Sequence, residues 1–169
     1  TGIERVALRC GAGDNMMAVL ESQDIELPEL EVDLPISVVH LSPAGSIVMA
    51  GDDYLVIEVK GRAFRVSAGA FFQVNSAQAA SMVDFVCAQL PAGPQVTLLE
   101  LYCGVGLFSA FLAPGVGRLL AVELSEAACK DFAVNLDEFD NVELYIGAAE
   151  QVLPGLQVTP DAVLLDPPR

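Results

Sequence analysis

The second half of the sequence constrains the fold most. From Val96 onward, short apolar runs alternate with segments of helical period. Val96–Tyr102, Leu119–Glu123, Val142–Ile146 and Ala162–Leu165 read as strands, with almost no polar residue inside them. Between them lie a loop and helix over Gly104–Ala113, a helix N-capped by Ser125 and running to about Phe139, and a short helical turn at Ala149–Leu153. Strands that are apolar throughout must be buried on both faces. Strand–helix alternation buries them by crossing helices over a parallel sheet. The expectation is therefore an α/β, Rossmann-like sheet.

The first 66 residues have a different rhythm. Val6–Cys10, Met16–Glu21, Ile36–Leu41, Ser46–Met49, Tyr54–Val59 and Ala63–Val66 are short and rich in Val and Ile, with turn signals such as Pro43-Ala-Gly45 and Gly51-Asp-Asp between them. That spacing predicts an antiparallel sheet built from hairpins. Near Ser67 the pattern changes. A helix is expected over Ala77–Leu90, capped by Ser76 or Asn75, with Ala80, Val83, Cys87 and Leu90 inward. The domain reading is thus a small β-rich domain over residues 1–66 and a Rossmann-like domain over 67–169. The sequence stops just after its fourth parallel strand, which reads as a C-terminally truncated sheet.

Charge limits the partners. With 23 acids against 8 bases the formal charge is -15, which argues against nucleic-acid binding through a broad positive face. The sharpest acidic run, Glu21 to Asp33, reads as solvated. The only basic cluster is Lys60, Arg62 and Arg65, either the exposed face of a strand or a small phosphate contact. Cys10, Cys87, Cys103 and Cys129 form no C-x-x-C pair, and the single His40 is remote from them in sequence, so no metal site is expected. Reduced cysteines suit a cytoplasmic protein, with Cys10, Cys87 and Cys129 read as buried. The uncharged stretch Leu101–Gly117 carries four glycines and a proline and is too short for a membrane span, so no membrane partner is expected.

Three motifs fall at strand ends. Glu100-Leu-Tyr102-Cys-Gly104-Val-Gly106 joins the first parallel strand to a helix, where glycines allow a tight turn and close approach of a ligand. It lacks the third glycine of the dinucleotide fingerprint, and an acid on the strand before G-x-G is the pattern of S-adenosylmethionine enzymes. Glu123 ends the second strand, where a carboxylate can accept ribose hydroxyls. Asp166-Pro-Pro-Arg169 ends the fourth, where two prolines stiffen the backbone that carries the acid. A fourth motif, Phe71-Phe72-Gln73-Val74-Asn75, has no generic chemistry, and a core role for Phe71 or Phe72 is the simplest reading.

Taken together, the four resemble the RNA (uracil-5-)-methyltransferases, which make 5-methyluridine in tRNA and 23S rRNA. The match is good over about residues 54–169 and weaker before that. The resemblance implies S-adenosylmethionine as cofactor, RNA as substrate, and cofactor contacts at Gln73, Tyr102, Gly104, Gly106, Glu123 and Asp166. Leu107 and Ala148 depart from the polar residues frequent in the family. The family's chemistry uses a cysteine nucleophile and a glutamate base that follow the D-P-P-R motif. Neither is expected among these residues, so the chain by itself is expected to be inactive. A methyltransferase of a small molecule or protein, or a non-catalytic cofactor-binding module, is the other reading.

Overall fold

A computed structural model describes residues 2–23, 31 and 33–168. The acidic run from Glu21 to Asp33 lies for the most part outside the described residues, as does Arg169.

The first sheet has strand order β1-β2-β3-β4, with β1 Ile3–Cys10, β2 Met16–Ser22, β3 Ser37–Ser42 and β4 Gly45–Ala50. Its outer pairs are antiparallel, as the hairpin signals predict, but β2 and β3 run parallel. A parallel neighbour needs a crossover rather than a tight turn, and β2 and β3 are well separated in sequence. Next comes the hairpin of β5 (Tyr54–Val59) and β6 (Arg62–Ser67). Its two turn residues, Lys60 and Gly61, both have positive φ (52° and 76°), the turn that matches the twist of a two-residue hairpin.

Helix α1 (Ser76–Gln89) is capped by Asn75, whose side chain accepts from the Gln78 amide at 3.0 Å. The cap is Asn75 rather than Ser76, and of the expected inward residues Val83 is buried and Ala80 and Leu90 pack partly buried against the core. Ala79 and Val83 are buried, while Cys87 is exposed. Cys10 is exposed too, because it shares the outward face of β1 with Val6 and Leu8. Of the three cysteines read as buried, only Cys129 is.

The second sheet is parallel throughout, in the order β10-β7-β8-β9, formed by β7 Gly93–Leu101, β8 Val116–Glu123, β9 Val142–Ile146 and β10 Ala162–Leu165. The intervening helices are α2 Ser109–Leu112, α3 Glu126–Asn135 and α4 Ala149–Val152. The uncharged stretch after Leu101 is thus divided into a loop, a short helix and a turn, and no helix among the described residues is long and apolar enough to cross a membrane.

The central strands are covered on both faces, as their composition requires. Leu98, Leu119 and Ala121 join Phe132 and Leu136 of α3 and Val59, Phe64 and Val66 of the hairpin in one core. Leu99, Leu101, Leu120 and Val122 face the other way, against Ala149. The chain moves outward through β7, β8 and β9, then returns to place β10 on the far side of β7. That reversal opens a crevice at the carboxyl ends of β7 and β10, where ligands settle in open α/β sheets.

Candidate functional site

The site is built at those strand ends. After β7 the backbone turns sharply. Tyr102 adopts φ 62°, unusual for a residue with a bulky side chain, and the amides of Tyr102 and Cys103 both donate to the Val122 carbonyl on β8. Gly104 follows at φ 57° with open space where a Cβ would point. Its amide donates to Glu123 Oε2 at 2.9 Å. The other carboxylate oxygen, Oε1, accepts from the amides of Leu124 (2.9 Å) and Ser125 (2.8 Å). Ser125 also caps α3. The Glu123 carbonyl receives the Gly147 amide at 2.8 Å, which draws the loop after β9 to the same place.

These loops enclose a cavity of about 1050 Å³, at the upper end of the roughly 300–1,000 Å³ common for small-molecule sites. Five of the six residues expected to touch a ligand line it: Gln73, Tyr102, Gly104, Glu123 and Asp166. Gly106 is not among the lining residues. A Cβ there would lie 2.3 Å from Leu136 Cδ1 and 3.0 Å from the Phe132 ring, so this glycine lets helix α3 approach the loop.

The lining also includes residues that were not expected to touch a ligand, Phe71 and Phe72 among them. Phe71 is three-quarters exposed at the cavity, while Phe72 packs against Phe64 with ring centroids 5.8 Å apart. The core reading of this pair therefore holds for Phe72 alone. Leu124 and Glu150 complete the wall on the side of β8 and α4. For Leu124 a signal was available in its exposure-prone position, a large apolar residue directly after the strand-end acid.

Glu100 sits deeper, fully buried on β7, where it accepts from the Ser109 hydroxyl at the start of α2. Burial pushes its carboxyl up to about 8, the Ser109 hydrogen bond partly opposes that rise, and the Asp166 charge adds to it. At neutral pH it is mostly the neutral acid, so the cavity's negative charge comes from Glu123, Asp166 and Glu150. Cys103 lines the cavity, but burial, with Glu100 and Glu123 nearby, raises its thiol far above the ordinary range. It is not a ready thiolate nucleophile.

In the basic cluster Lys60 is exposed and Arg62 and Arg65 are partly buried, and all three are ion-paired. Lys60 pairs with Asp84, Arg62 with Glu138, and Arg65 with Asp53 and the buried Asp131. Among the described residues no group of three or more His, Cys, Asp or Glu side chains is arranged to hold a metal ion.

Comparison with known proteins gives a consistent picture. A family model described as tRNA (Uracil-5-)-methyltransferase matches residues 16–159. A Streptomyces avermitilis protein described as an uncharacterized RNA methyltransferase is 34% identical over the whole chain, which spans 41% of that relative's length. The tRNA (uracil-5-)-methyltransferase homolog A of Mus musculus is 38% identical over 72% of the chain and 21% of its own length. In fold, the chain is similar to the crystal structure of Pyrococcus abyssi tRNA (uracil-54, C5)-methyltransferase in complex with S-adenosyl-L-homocysteine. That likeness has a TM-score of 0.71 at 21% identity and covers 97% of the chain and 43% of the other.

Proposed function

The chain belongs to the tRNA (uracil-5-)-methyltransferase family, and from that premise we propose that it forms the S-adenosylmethionine-binding portion of an enzyme that methylates C5 of uridine in cytoplasmic tRNA or rRNA. The observation that carries the reading is the Glu123 carboxylate at the switch-point cavity, held by three backbone amides and facing an open Gly104.

The residues present fit the cofactor. A carboxylate has about four acceptor positions. Three are filled at Glu123, which leaves one for a ribose hydroxyl, and a second is freed if the Gly104 amide turns away. Gly104 presents no side chain to obstruct an approaching ligand. Glu123, Asp166 and Glu150 give the cavity a negative character that suits a sulfonium and an ammonium group. Gln73 would supply a neutral amide, and Tyr102 and Leu124 apolar surface. When bound, S-adenosylmethionine supplies an electrophilic methyl group. The work of this chain's own residues is to hold and orient it and to keep water from it.

The chain spans less than half the length of the relatives it matches. In this reading the nucleophilic cysteine, the general base and the RNA-binding surface of the whole enzyme come from other parts of that length. The domain reading of a β-rich part over residues 1–66 and a methyltransferase part over 67–169 belongs to the same proposal. Calorimetric titration with S-adenosylhomocysteine tests the cofactor assignment. Saturable binding that Glu123→Ala weakens supports it, and no binding by the unaltered chain overturns it.

A second reading, a methyltransferase of a small molecule or protein, is favoured by one observation: Lys60, Arg62 and Arg65, the basic cluster of the sequence, are each ion-paired with a carboxylate. Methyl transfer by the whole enzyme to uridine-containing RNA, with label recovered at C5, separates the two.

A further inference from the structure

Helix α3 touches the candidate site at both ends. Its first turn follows Glu123 directly, through the Ser125 cap. Its last residue, Asn135, lies beneath the glycine loop. Asn135 is nearly buried and uses its whole amide. Oδ1 accepts from the Arg65 amide at 2.8 Å, and Nδ2 donates to the Arg65 carbonyl at 3.0 Å and to the Val105 carbonyl at 2.9 Å.

Two of those bonds imitate a neighbouring strand. Among the described residues β6 is paired with β5 alone, so no strand there takes up the amides and carbonyls of its outer edge. Asp131 and Asn135 are four residues apart and share one face of α3. Asp131 takes the Ser67 amide at 2.6 Å and Asn135 takes both main-chain groups of Arg65. The third Asn135 bond leaves the strand and reaches the loop between Gly104 and Gly106. There the close packing of Gly106 on Leu136 and Phe132 adds a second grip from the same helix turn.

We propose that Asn135 is a positioning residue for the cofactor, fixing the glycine loop relative to Glu123 and to the segment after β6 that leads to Gln73. The inference rests on the functional reading above. Among the described residues no other side chain bonds both the loop and β6. An aspartate of the same size retains the acceptor for the Arg65 amide but loses both donors, leaving the Val105 and Arg65 carbonyls facing a negative charge.

The test compares the unaltered chain with Asn135→Ala, Asn135→Asp and Val39→Ala. Val39 is buried in the first sheet, away from the cavity, and its truncation controls for general loss of stability. Two quantities are read well below every melting temperature: S-adenosylhomocysteine affinity by calorimetry, and amide hydrogen exchange at Gly106, whose N–H bonds the Cys103 carbonyl. The expected result is affinity about tenfold weaker in both Asn135 variants, with faster exchange at Gly106. Val39→Ala should bind as the unaltered chain does. Unchanged affinity in the Asn135 variants, or unchanged exchange at Gly106, overturns the proposal. Absence of binding by the unaltered chain overturns the functional reading instead, and the exchange comparison still decides whether Asn135 holds the loop. If Asn135→Ala fails to fold, Asn135→Ser, which keeps one donor, replaces it in the same comparison.

Discussion

The Gly104 amide donates to Glu123 Oε2 across 2.9 Å, bridging the ends of two adjacent parallel strands. The loop that turns away from β7 is thereby fastened to the acid that ends β8, and the carboxylate is oriented before any ligand arrives. Orientation in advance lowers the ordering cost of binding.

Replacing Glu123 by alanine removes that orientation and leaves the amides of Gly104, Leu124 and Ser125 without their acceptor. The expected loss in S-adenosylhomocysteine affinity is about 1–3 kcal/mol, measured by calorimetry. Affinity equal to that of the unaltered chain removes Glu123 from the site.

Glu100 gives a pH signature. Its carboxyl is raised from 4.5 to about 8 in the folded chain, so between those values the folded state binds more protons than the unfolded one. Stability should therefore fall as pH rises through that window, by on the order of 1 kcal/mol per unit at most. Glu100→Gln removes the dependence. Urea unfolding at several pH values should show the variant close to the parent near the acid end and clearly more stable at the alkaline end. Parallel pH profiles for the two would contradict the burial argument.

The two loop glycines should respond differently to alanine. Gly104 opens on empty space at φ 57°, so Gly104→Ala should cost only about 1–2 kcal/mol of stability. Its main effect should be on ligand affinity. Gly106→Ala combines φ 91° with a Cβ 2.3 Å from Leu136 and 3.0 Å from Phe132, and should destabilise by about 2–4 kcal/mol. Thermal melts paired with binding isotherms separate the two effects, and equal stability losses would count against this division of roles.

Asp131 is wholly buried and accepts from Arg65 Nε, the Ser67 amide and the Ser67 hydroxyl. Asp131→Ala leaves the Arg65 guanidinium with Asp53 as its remaining carboxylate and a strand-edge amide unpaired, and should destabilise by about 2–3 kcal/mol. Chemical denaturation measures it, and a loss under about 1 kcal/mol would mean that water replaces the carboxylate.

Six of the eight bases are engaged with carboxylates or carbonyls: Arg5, Arg9, Lys60, Arg62, Arg65 and Arg118. At most two remain for phosphates, so any binding of single-stranded RNA by this chain should have a log–log salt slope no steeper than about -1.5. Fluorescence anisotropy across a salt series reads that slope, and a steeper one would mean the internal pairs open for RNA.

The parallel sheet and the position of Tyr102, Gly104, Glu123 and Asp166 at strand ends were legible because each depends on local pattern, whereas Gln73 came from the family resemblance alone. An apolar strand followed by glycines, by an acid or by Asp-Pro-Pro specifies its own geometry and places the residue at a strand end. Asn135, Asp131 and Arg9 were not legible. On a helix or strand, a polar residue reads as solvated, and only the tertiary fold shows that these three meet main-chain groups of β6 and of the turn after it. The parallel pairing of β2 with β3 escaped for the same reason, since strand direction across a long link is set by packing. The engaged state of Lys60, Arg62 and Arg65 depends on acids brought in by the fold, on α1, on α3 and the turn after it, and just before β5.

β10 joins β7 although the paired residues are far apart in the chain. The Asp161 side chain caps the Thr97 amide across 64 positions. During synthesis, therefore, the glycine loop, Glu123 and the turn after β9 leave the ribosome before the strand that brings Asp166. The earlier strands can pair as they appear, but the pocket lacks its Asp166 wall until β10 docks. A ligand that needs that wall binds only once β10 is paired and, by mass action, holds the slow, distant pairing closed.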